Sequence, residues 1–401
     1  MTLSTTDTEL DIALVLDRWE PKRGGLEAYA NSLCMELARR GHRVVIVTGT
    51  ASGRVVVDDD VARHVTVESV RGQGVRFYEE ADELLHRLER EGTLGVAFRH
   101  PGPASVFLPL GGLLVSSLAA RRRSENALIR PLRALARRMS SRTRTYLERE
   151  ARFFRDGTSA PRLCLCNSPL VAADVASRHP SFAGKLDVVG LPVDMVRFHP
   201  PDDARRAEAR SSLGLGDGPA ILFVGHDEKR KGLSAAKAVL QRVRARRVDA
   251  ALVLAGHGTE RFHDEARGVR ALGFVDDMLS VYHACDVLLA PSLEDNLSSC
   301  ALEALSTGLP VVTTRCNGIA AWLAPEDVPD ASRLARVVQD PTSIHDLDAA
   351  TLAMLGRSAL CMELRRARRE VIGRCADHHH FDLVEQRLAE FEAITSAVRA
   401  S

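Results

Sequence analysis

Residues 286–318 read DVLLAPSLEDNLSSCALEALSTGLPVVTTRCNG. The apolar run 287–290 ends at Pro291, a polar loop fills 292–299, and 300–306 has the spacing of a short amphipathic helix. Gly308 stops that helix and Pro310 opens a second apolar run. Strand, loop, helix, strand is the order of a parallel pair joined by a right-handed crossover. Such sheets hold ligands outside the carboxyl ends of their strands. The loop lies there, and it delivers N–H groups at the positive end of a helix dipole, an arrangement suited to an anion. Asp295 sits in the loop, and Glu303 rides the helix that it opens. A carboxylate beside a phosphate makes sense where it accepts hydrogen bonds from hydroxyls, as the acid of a dinucleotide site does from ribose. An anion and hydroxyls together describe a sugar nucleotide; a plain βαβ unit with solvated acids has the same spacing.

Working outward, the run 220–224 reads as a strand, followed by Gly225, the polar loop 226–231 and a helix over 233–243 opened by Gly232. The loop carries Lys229, Arg230 and Lys231 at a helix start. Arg230 offers a planar fork and Lys231 a point charge, so the two can meet different phosphates; a basic loop with no ligand looks the same locally. Strands are expected at 251–255 and 271–274, with a short helix over 276–283 between them and the opening stretch. Towards the amino terminus, 11–16 and 43–48 read as buried strands around a helix 26–40 that Gly41 stops. Gly24 and Gly25 precede that helix and allow either a close backbone approach by a ligand or a tight turn alone. Further strands are expected at 64–70, 95–98, 106–109, 163–166 and 187–190, with a charged helix over 77–91.

At 401 residues the chain suits two domains rather than one core. Lys and Arg (54) nearly balance Asp and Glu (53), so any steering charge must be local. The eight cysteines form no CxxC pair, and several lie in apolar runs where a thiol packs like a small hydrophobe, which fits a reducing cytoplasm. The first ten residues lack a basic region and apolar core of a signal peptide, and the longest apolar candidate, 106–120, falls short of the roughly 18 residues of a membrane span. The stretch 121–149, opening on Arg121 and closing on Arg149, carries ten arginines and two glutamates. Leu128, Ile129, Leu132, Leu135 and Met139 recur there at helical spacing. Such a helix can lie on an anionic membrane surface or pack its stripe on its own domain. Aromatic interleaving is missing, so nucleic acid is not an expected partner. His378, His379 and His380 precede an expected helix 381–398, and zinc-ligand spacing is absent elsewhere, so no metal is expected.

The motif Asp295…Glu303-Ala304-Leu305…Gly308-Leu309-Pro310-Val311-Val312 resembles the donor-site signature of family 4 retaining glycosyltransferases of the GT-B fold. The family usually has Glu where this chain has Asp295. Gly24-Gly25-Leu26-Glu27 followed by Arg40-Gly41-His42 is similar to its amino-terminal signature, and 191–200 to its interdomain linker, with Leu191-Pro192 replacing Asn-Gly. The resemblance implies an α/β fold of two Rossmann-like domains whose parallel sheets face a central cleft. It places an acceptor-side domain at 1–190, a nucleotide-sugar domain at 191–376, and a terminal helix 377–401 crossing back to the first, with motion about the linker. It implies donor binding by Gly25, Gly225, Arg230, Lys231, His257, Asn296, Leu297, Ser298, Ser299 and Glu303. Asp295, Arg230, Lys231 and His100 are the expected catalytic groups. His100 enters because relatives commonly place His or Asp where this chain has Leu110, which exchanges no proton. His226 stands where many members have Arg, and Arg230 beside Lys231 matches lipopolysaccharide-core glucosyltransferases.

The expected function is therefore metal-independent, retaining transfer of a hexose from a nucleotide-diphosphate sugar, with a UDP-sugar favoured and GDP-mannose as the other donor. No cofactor is expected beyond that co-substrate. The acceptor is an envelope glycan or lipid-linked acceptor, and the location cytoplasmic, with peripheral attachment to the inner membrane face through 121–149. An epimerase on the same fold and an inactive donor-binding subunit are the rivals. A dehydrogenase is not expected, because no GxGxxG follows the first strand.

Overall fold

The computed structural model describes residues 9–21, 24–49, 55, 57–123, 140–155, 161–182, 184–323, 331–356 and 360–400. The chain divides into two compact units, Met1–Gly190 with His378–Ser401, and Leu191–Asp377.

The first unit holds β1 (Asp11–Val15), β2 (Arg43–Gly49), β3 (Val65–Val70), β4 (Leu94–Ala97), β5 (Val106–Phe107), β6 (Leu163–Cys166) and β7 (Lys185–Val188). They form one sheet in the order β3-β2-β1-β4-β5-β6-β7, every neighbouring pair parallel. Helices cover both faces, so β4 and β6 are buried throughout and read as unbroken apolar runs, whereas the edge strand β3 is mostly exposed. The order reverses between β1 and β4, and the loops leaving those two strands diverge there. The first helix, Gly25–Arg39, buries Leu33, Cys34, Leu37 and Ala38 and is followed by Gly41 at φ +92°.

The second unit repeats the plan with β8 (Ala220–Val224), β9 (Ala251–Ala255), β10 (Val269–Gly273), β11 (Val287–Ala290), β12 (Val311–Thr314) and β13 (Ala335–Val338). The order is β10-β9-β8-β11-β12-β13, all parallel, and it reverses between β8 and β11. Residues 286–318 fold as read: β11, a helix Ser299–Ser306, then β12 paired with β11 from Leu288↔Val311. The α/β class and two parallel sheets expected from the sequence are thus present. The polar loop 226–231 is tighter than expected. Asp227 accepts from Arg230 N at 3.2 Å, and the good helix formers Glu228–Lys231 close one helical turn before Gly232. β13 and the helices Ile344–Met354 and Met362–Val371 had no expected counterpart. β13 is four residues long with two of them half-buried, too short for its period to register.

The last helix runs Asp377–Ala400, starting where the resemblance placed the terminal helix 377–401 and before the 381–398 read from the local pattern; His380 in its first turns is drawn into the core of the first unit. Its Nδ1 lies 3.1 Å from Val189 O, an acceptor, so Nδ1 carries the hydrogen; Nε2 then accepts from the Tyr29 hydroxyl at 3.0 Å. Glu385 on the same helix accepts from Arg40 at 2.6 Å and His42 at 2.9 Å. The apolar stripe of 121–149 falls within 124–139, outside the described residues, as does the loop 324–329. Arg149, counted there among the surface cations, is instead buried. It grips both oxygens of Asp82 at 2.5 and 2.6 Å beneath the Tyr78 ring.

Burial lowers the His380 pKa to about 4. A histidine depressed on folding stabilises the native state fully above its unfolded pKa near 6.5, and that stability is lost as pH falls from there towards 4. Urea unfolding at pH 7 and pH 4.5 should show His380→Gln losing about 2–3 kcal/mol less than wild type over that interval. Equal losses would mean His380 does not titrate as buried.

Candidate functional site

The loops leaving β8 and β11 meet where the strand order of the second unit reverses. Leu293 N donates to Arg230 O at 2.9 Å, joining them through the backbone. Gly232, at φ +79°, faces Pro291 O so closely that any Cβ there would overlap it. Gly225 is needed for a related reason: a Cβ on it would come within 2.9 Å of Lys231 Cγ, whose stem lies across it.

That contact brings Arg230, Lys231 and Asp295 together. Lys231 Nζ lies 2.6 Å from Asp295 Oδ2, and Arg230 Nη1 lies 3.8 Å from Asp295 Oδ1. Arg230 also donates to Glu294 O at 3.0 Å and leans on Asp227 at 3.5 Å. Asp295 itself is 6% exposed; its N–H donates to Cys316 O at 2.9 Å and its carbonyl accepts from Gly318 N at 2.8 Å. Asn317 Nδ2 approaches the carboxylate at 3.5 Å.

Residues 296–299 run from this cluster into the helix Ser299–Ser306. Ser298 stands at its N-cap without making a side-chain cap bond; its hydroxyl lies 3.0 Å from Cys300 Sγ. The first-turn N–H groups therefore receive no acceptor from the cap side chain, as an anion site requires. The Cys300 thiol faces Lys231, Asp295 and Glu303, so the two acids and the lysine share one neighbourhood; burial nonetheless keeps the thiol protonated. Glu303, half-buried one turn into the helix, accepts from the Tyr282 hydroxyl at 2.6 Å. Burial pushes its carboxyl up to about 7 against the lowering pull of Tyr282 and Arg197. His257, exposed in the loop after β9, stacks on Phe274 with ring centroids 4.4 Å apart at 13°.

Gly25 and His100 belong to the first unit. A Cβ on Gly25 would meet nothing within 4 Å, so packing does not demand glycine there. His100 follows β4 and holds φ +46°, a strained value for a non-glycine residue. Its ring stacks on Tyr146 at 3.7 Å and 8°, and its carbonyl accepts from Arg149 at 3.1 Å. Burial first, then Arg149, Arg99 and Arg142, lower its pKa to about 3. A group with so little proton affinity is a weak general base at neutral pH. Leu110 offers its carbonyl to Asn167 Nδ2 at 3.0 Å. Tyr282, Asn317 and Asn167 were not singled out from sequence. Tyr282 lies in an apolar helical pattern and reads as core; Asn167 directly follows β6 and Asn317 lies in the turn after β12, positions at strand ends that could have flagged them. Among the described residues no group of three or more His, Cys, Asp or Glu could hold a metal ion, and no helix is long and apolar enough to cross a membrane.

Two doubly wound parallel sheets, the second with this cluster at its reversal point, define a GT-B glycosyltransferase. The structure of WaaG, a glycosyltransferase involved in lipopolysaccharide biosynthesis, superposes with a TM-score of 0.71 over 96% of this chain and 99% of that one, at 19% identity. Residues 218–355 match the family model described as glycosyl transferases group 1. A D-inositol 3-phosphate glycosyltransferase of Actinosynnema mirum is 30% identical over 329 residues, 74% of this chain and 77% of that protein. One of Corynebacterium urealyticum is 29% identical over 178 residues, which span 42% of its length. The chain belongs to the group 1 glycosyltransferases.

Two substitutions test the cluster by stability. Lys231→Ala strands a buried carboxylate; the loss should fall below the ~3–5 kcal/mol of a fully buried broken pair, because Arg230 remains nearby. Adding Asp295→Asn should restore most of it. Gly232→Ala should lower the unfolding midpoint by at least the ~1–2 kcal/mol of a left-handed non-glycine residue. A tolerated alanine there would contradict the loop contact.

Proposed function

We propose that the protein is a retaining, metal-independent hexosyltransferase of family 4 type, using a nucleotide-diphosphate sugar, with a UDP-sugar favoured over GDP-mannose. The observation that carries this reading is the Arg230–Lys231–Asp295 cluster abutting the open N-terminus of the Ser299–Ser306 helix, with Glu303 one turn along. The diphosphate would lie against Arg230, Lys231 and the N–H groups of Asn296, Leu297, Ser298 and Ser299. Lys231 has three N–H donors, so it can hold Asp295 and still meet a phosphate oxygen. Glu303 takes the ribose hydroxyls, Asp295 a hydroxyl of the transferred sugar, and the exposed loop at His257 lies beside the base.

In the reaction the bond from the anomeric carbon to the phosphate oxygen breaks through an oxocarbenium-like state. The acceptor oxygen bonds to the same face, and its proton passes to the departing phosphate oxygen, leaving a glycoside and a nucleoside diphosphate. Charge grows on the leaving group, and the fixed cations and amides are aimed at it. His100, whose ring holds a proton only weakly, serves as a wall of the acceptor side and not as its base.

An envelope glycan or lipid-linked acceptor remains the reading from sequence, with peripheral attachment through 121–149 at a cytoplasmic membrane face. A phosphate-bearing polyol is the second reading. The relatives named above act, by their names, on D-inositol 3-phosphate, and Arg99 and Arg142 both face His100, Arg142 in an exposed position.

A thermal-shift panel of UDP-, GDP- and ADP-sugars is the first test, since a ligand at 100 times its dissociation constant stabilises by about 2.7 kcal/mol. With the donor found, Arg230→Ala or Lys231→Ala should reduce transfer by roughly a hundred- to a thousandfold, about 2.7–4 kcal/mol per lost donor. Unchanged turnover in both would remove the mechanism. Co-sedimentation should favour anionic over neutral liposomes and lose that preference when arginines between 121 and 138 are neutralised; no preference in the wild type removes the attachment.

A further inference from the structure

Tyr282 lies on the short helix Met278–Ala284 that precedes β11, and it is 2% exposed. Its ring packs edge-on against Phe198, centroids 6.0 Å apart at 75°, which fixes the direction of the hydroxyl towards Glu303. The hydroxyl donates to Glu303 Oε2 at 2.6 Å. Burial raises the phenol's pKa well above its ordinary value, which keeps the proton on the oxygen and the group a donor. Among the described residues no hydrogen bond reaches Glu303 Oε1, although the residue is only half-buried. One carboxylate oxygen is thus pinned from the core side and the other is left for what enters from outside.

We propose that Tyr282 is a positioning residue: it holds Glu303 Oε2 so that Oε1 meets the vicinal ribose hydroxyls of a nucleoside diphosphate. This rests on the assignment of Glu303 to the ribose made above.

A proton linkage follows from the same contact. The groups facing Glu303 are few: Tyr282 from its helix, Arg197 from the turn before Phe198, and the neutral thiol of Cys300 on its own helix. Arg365, Arg368 and Arg369, on the neighbouring helix Met362–Val371, are turned to carbonyls at Pro201, Gly308 and Ser306. Among the described residues no cation forms an ion pair with the carboxylate, and it titrates near 7. Ribose hydroxyls donate to the ionised form, so binding below that pKa must expel a proton. Affinity for a ribose nucleotide therefore rises with pH up to about 7 and levels off above it. Removing the Tyr282 donor raises the Glu303 pKa further, which moves that midpoint up and weakens binding at pH 7.

The test is calorimetry on the full chain between pH 6 and 8.5 with UDP and with 2′,3′-dideoxyuridine diphosphate, and with the GDP and ADP pairs run alongside. Tyr282→Phe should weaken UDP, or whichever ribose nucleotide binds, at least fivefold at pH 7 and shift its affinity midpoint upward. The dideoxy nucleotide should bind both proteins equally, showing only the terminal-phosphate titration at about pH 6 that both nucleotides share. Glu303→Gln should abolish the midpoint, and Tyr282→Phe added to it should cause no further loss. A loss shared equally by ribose and dideoxy nucleotides, or a midpoint unmoved by Tyr282→Phe, overturns the positioning role alone. Failure of every nucleoside diphosphate to bind the wild type overturns the donor assignment, and this proposal with it.

Discussion

The second unit is built around a buried cation–carboxylate contact between two loops that are far apart in sequence. Lys231 and Asp295 leave adjacent strands, β8 and β11, at the point where the sheet reverses direction, so no helix intervenes to keep their loops apart. Gly232 lets the backbones touch, and Gly225 lets the lysine stem lie flat. Desolvating either charge alone would cost several kcal/mol, so each is tolerable there because of the other. The pairing also keeps an ammonium group with spare donors fixed beside a helix N-terminus. A cation fixed in this way presents charge already in place, with little reorganisation left to make.

The far end of the same helix is held differently. Arg369 donates to Ser306 O at 2.5 Å, Phe198 O at 2.7 Å and Met195 O at 3.0 Å; Arg368 donates to Gly308 O at 3.1 Å and Leu334 O at 2.7 Å. Of these carbonyls Ser306 O lies at the negative end of the Ser299–Ser306 helix and Gly308 O just beyond it, where cations are stabilising, and the others tie that end to neighbouring elements. Burial lowers the Arg368 pKa to about 10, which still leaves it charged at neutral pH. The helix thus has its C-terminal end closed by arginines while its N-terminal end lacks a side-chain cap. An element finished at one end and open at the other is what an anion site on a helix start needs.

How much of this could be read from sequence depends on the range of each interaction. The strands β11 and β12 were legible because unbroken apolar runs bounded by Pro291, Gly308 and Pro310 fit little except buried strands. The cations of 229–231 were legible as a group, since they crowd into one loop. Their pairing with Asp295 was not, because contacts between distant loops leave no local period. Tyr282 was hidden for another reason: its ring is core and only its hydroxyl reaches Glu303, and a hydrophobic pattern registers the ring. The arginine stretch shows the opposite error. Counting charge treated Arg149 as surface, but pairing with Asp82 and packing on Tyr78 take it inside. Composition measures how many charges there are, and only packing decides which of them water sees.

In the first unit the same physics produces a histidine unlike the one that sequence suggests. His100 is held at φ +46° between the Tyr146 ring and the Arg149 side chain, and Gly102, also at positive φ, lets the guanidinium approach the chain. Burial first, and then three arginines around the imidazole, make its protonated form costly, so the ring stays neutral and stacks. The positive charge beside the ring therefore resides on Arg99, which faces Glu27 at 3.6 Å, and on Arg142 of the helix Ser141–Phe153, and the strain is carried by a residue that does not change charge at neutral pH. A strained, neutral, stacked ring with cations beside it is a rigid wall with a fixed field.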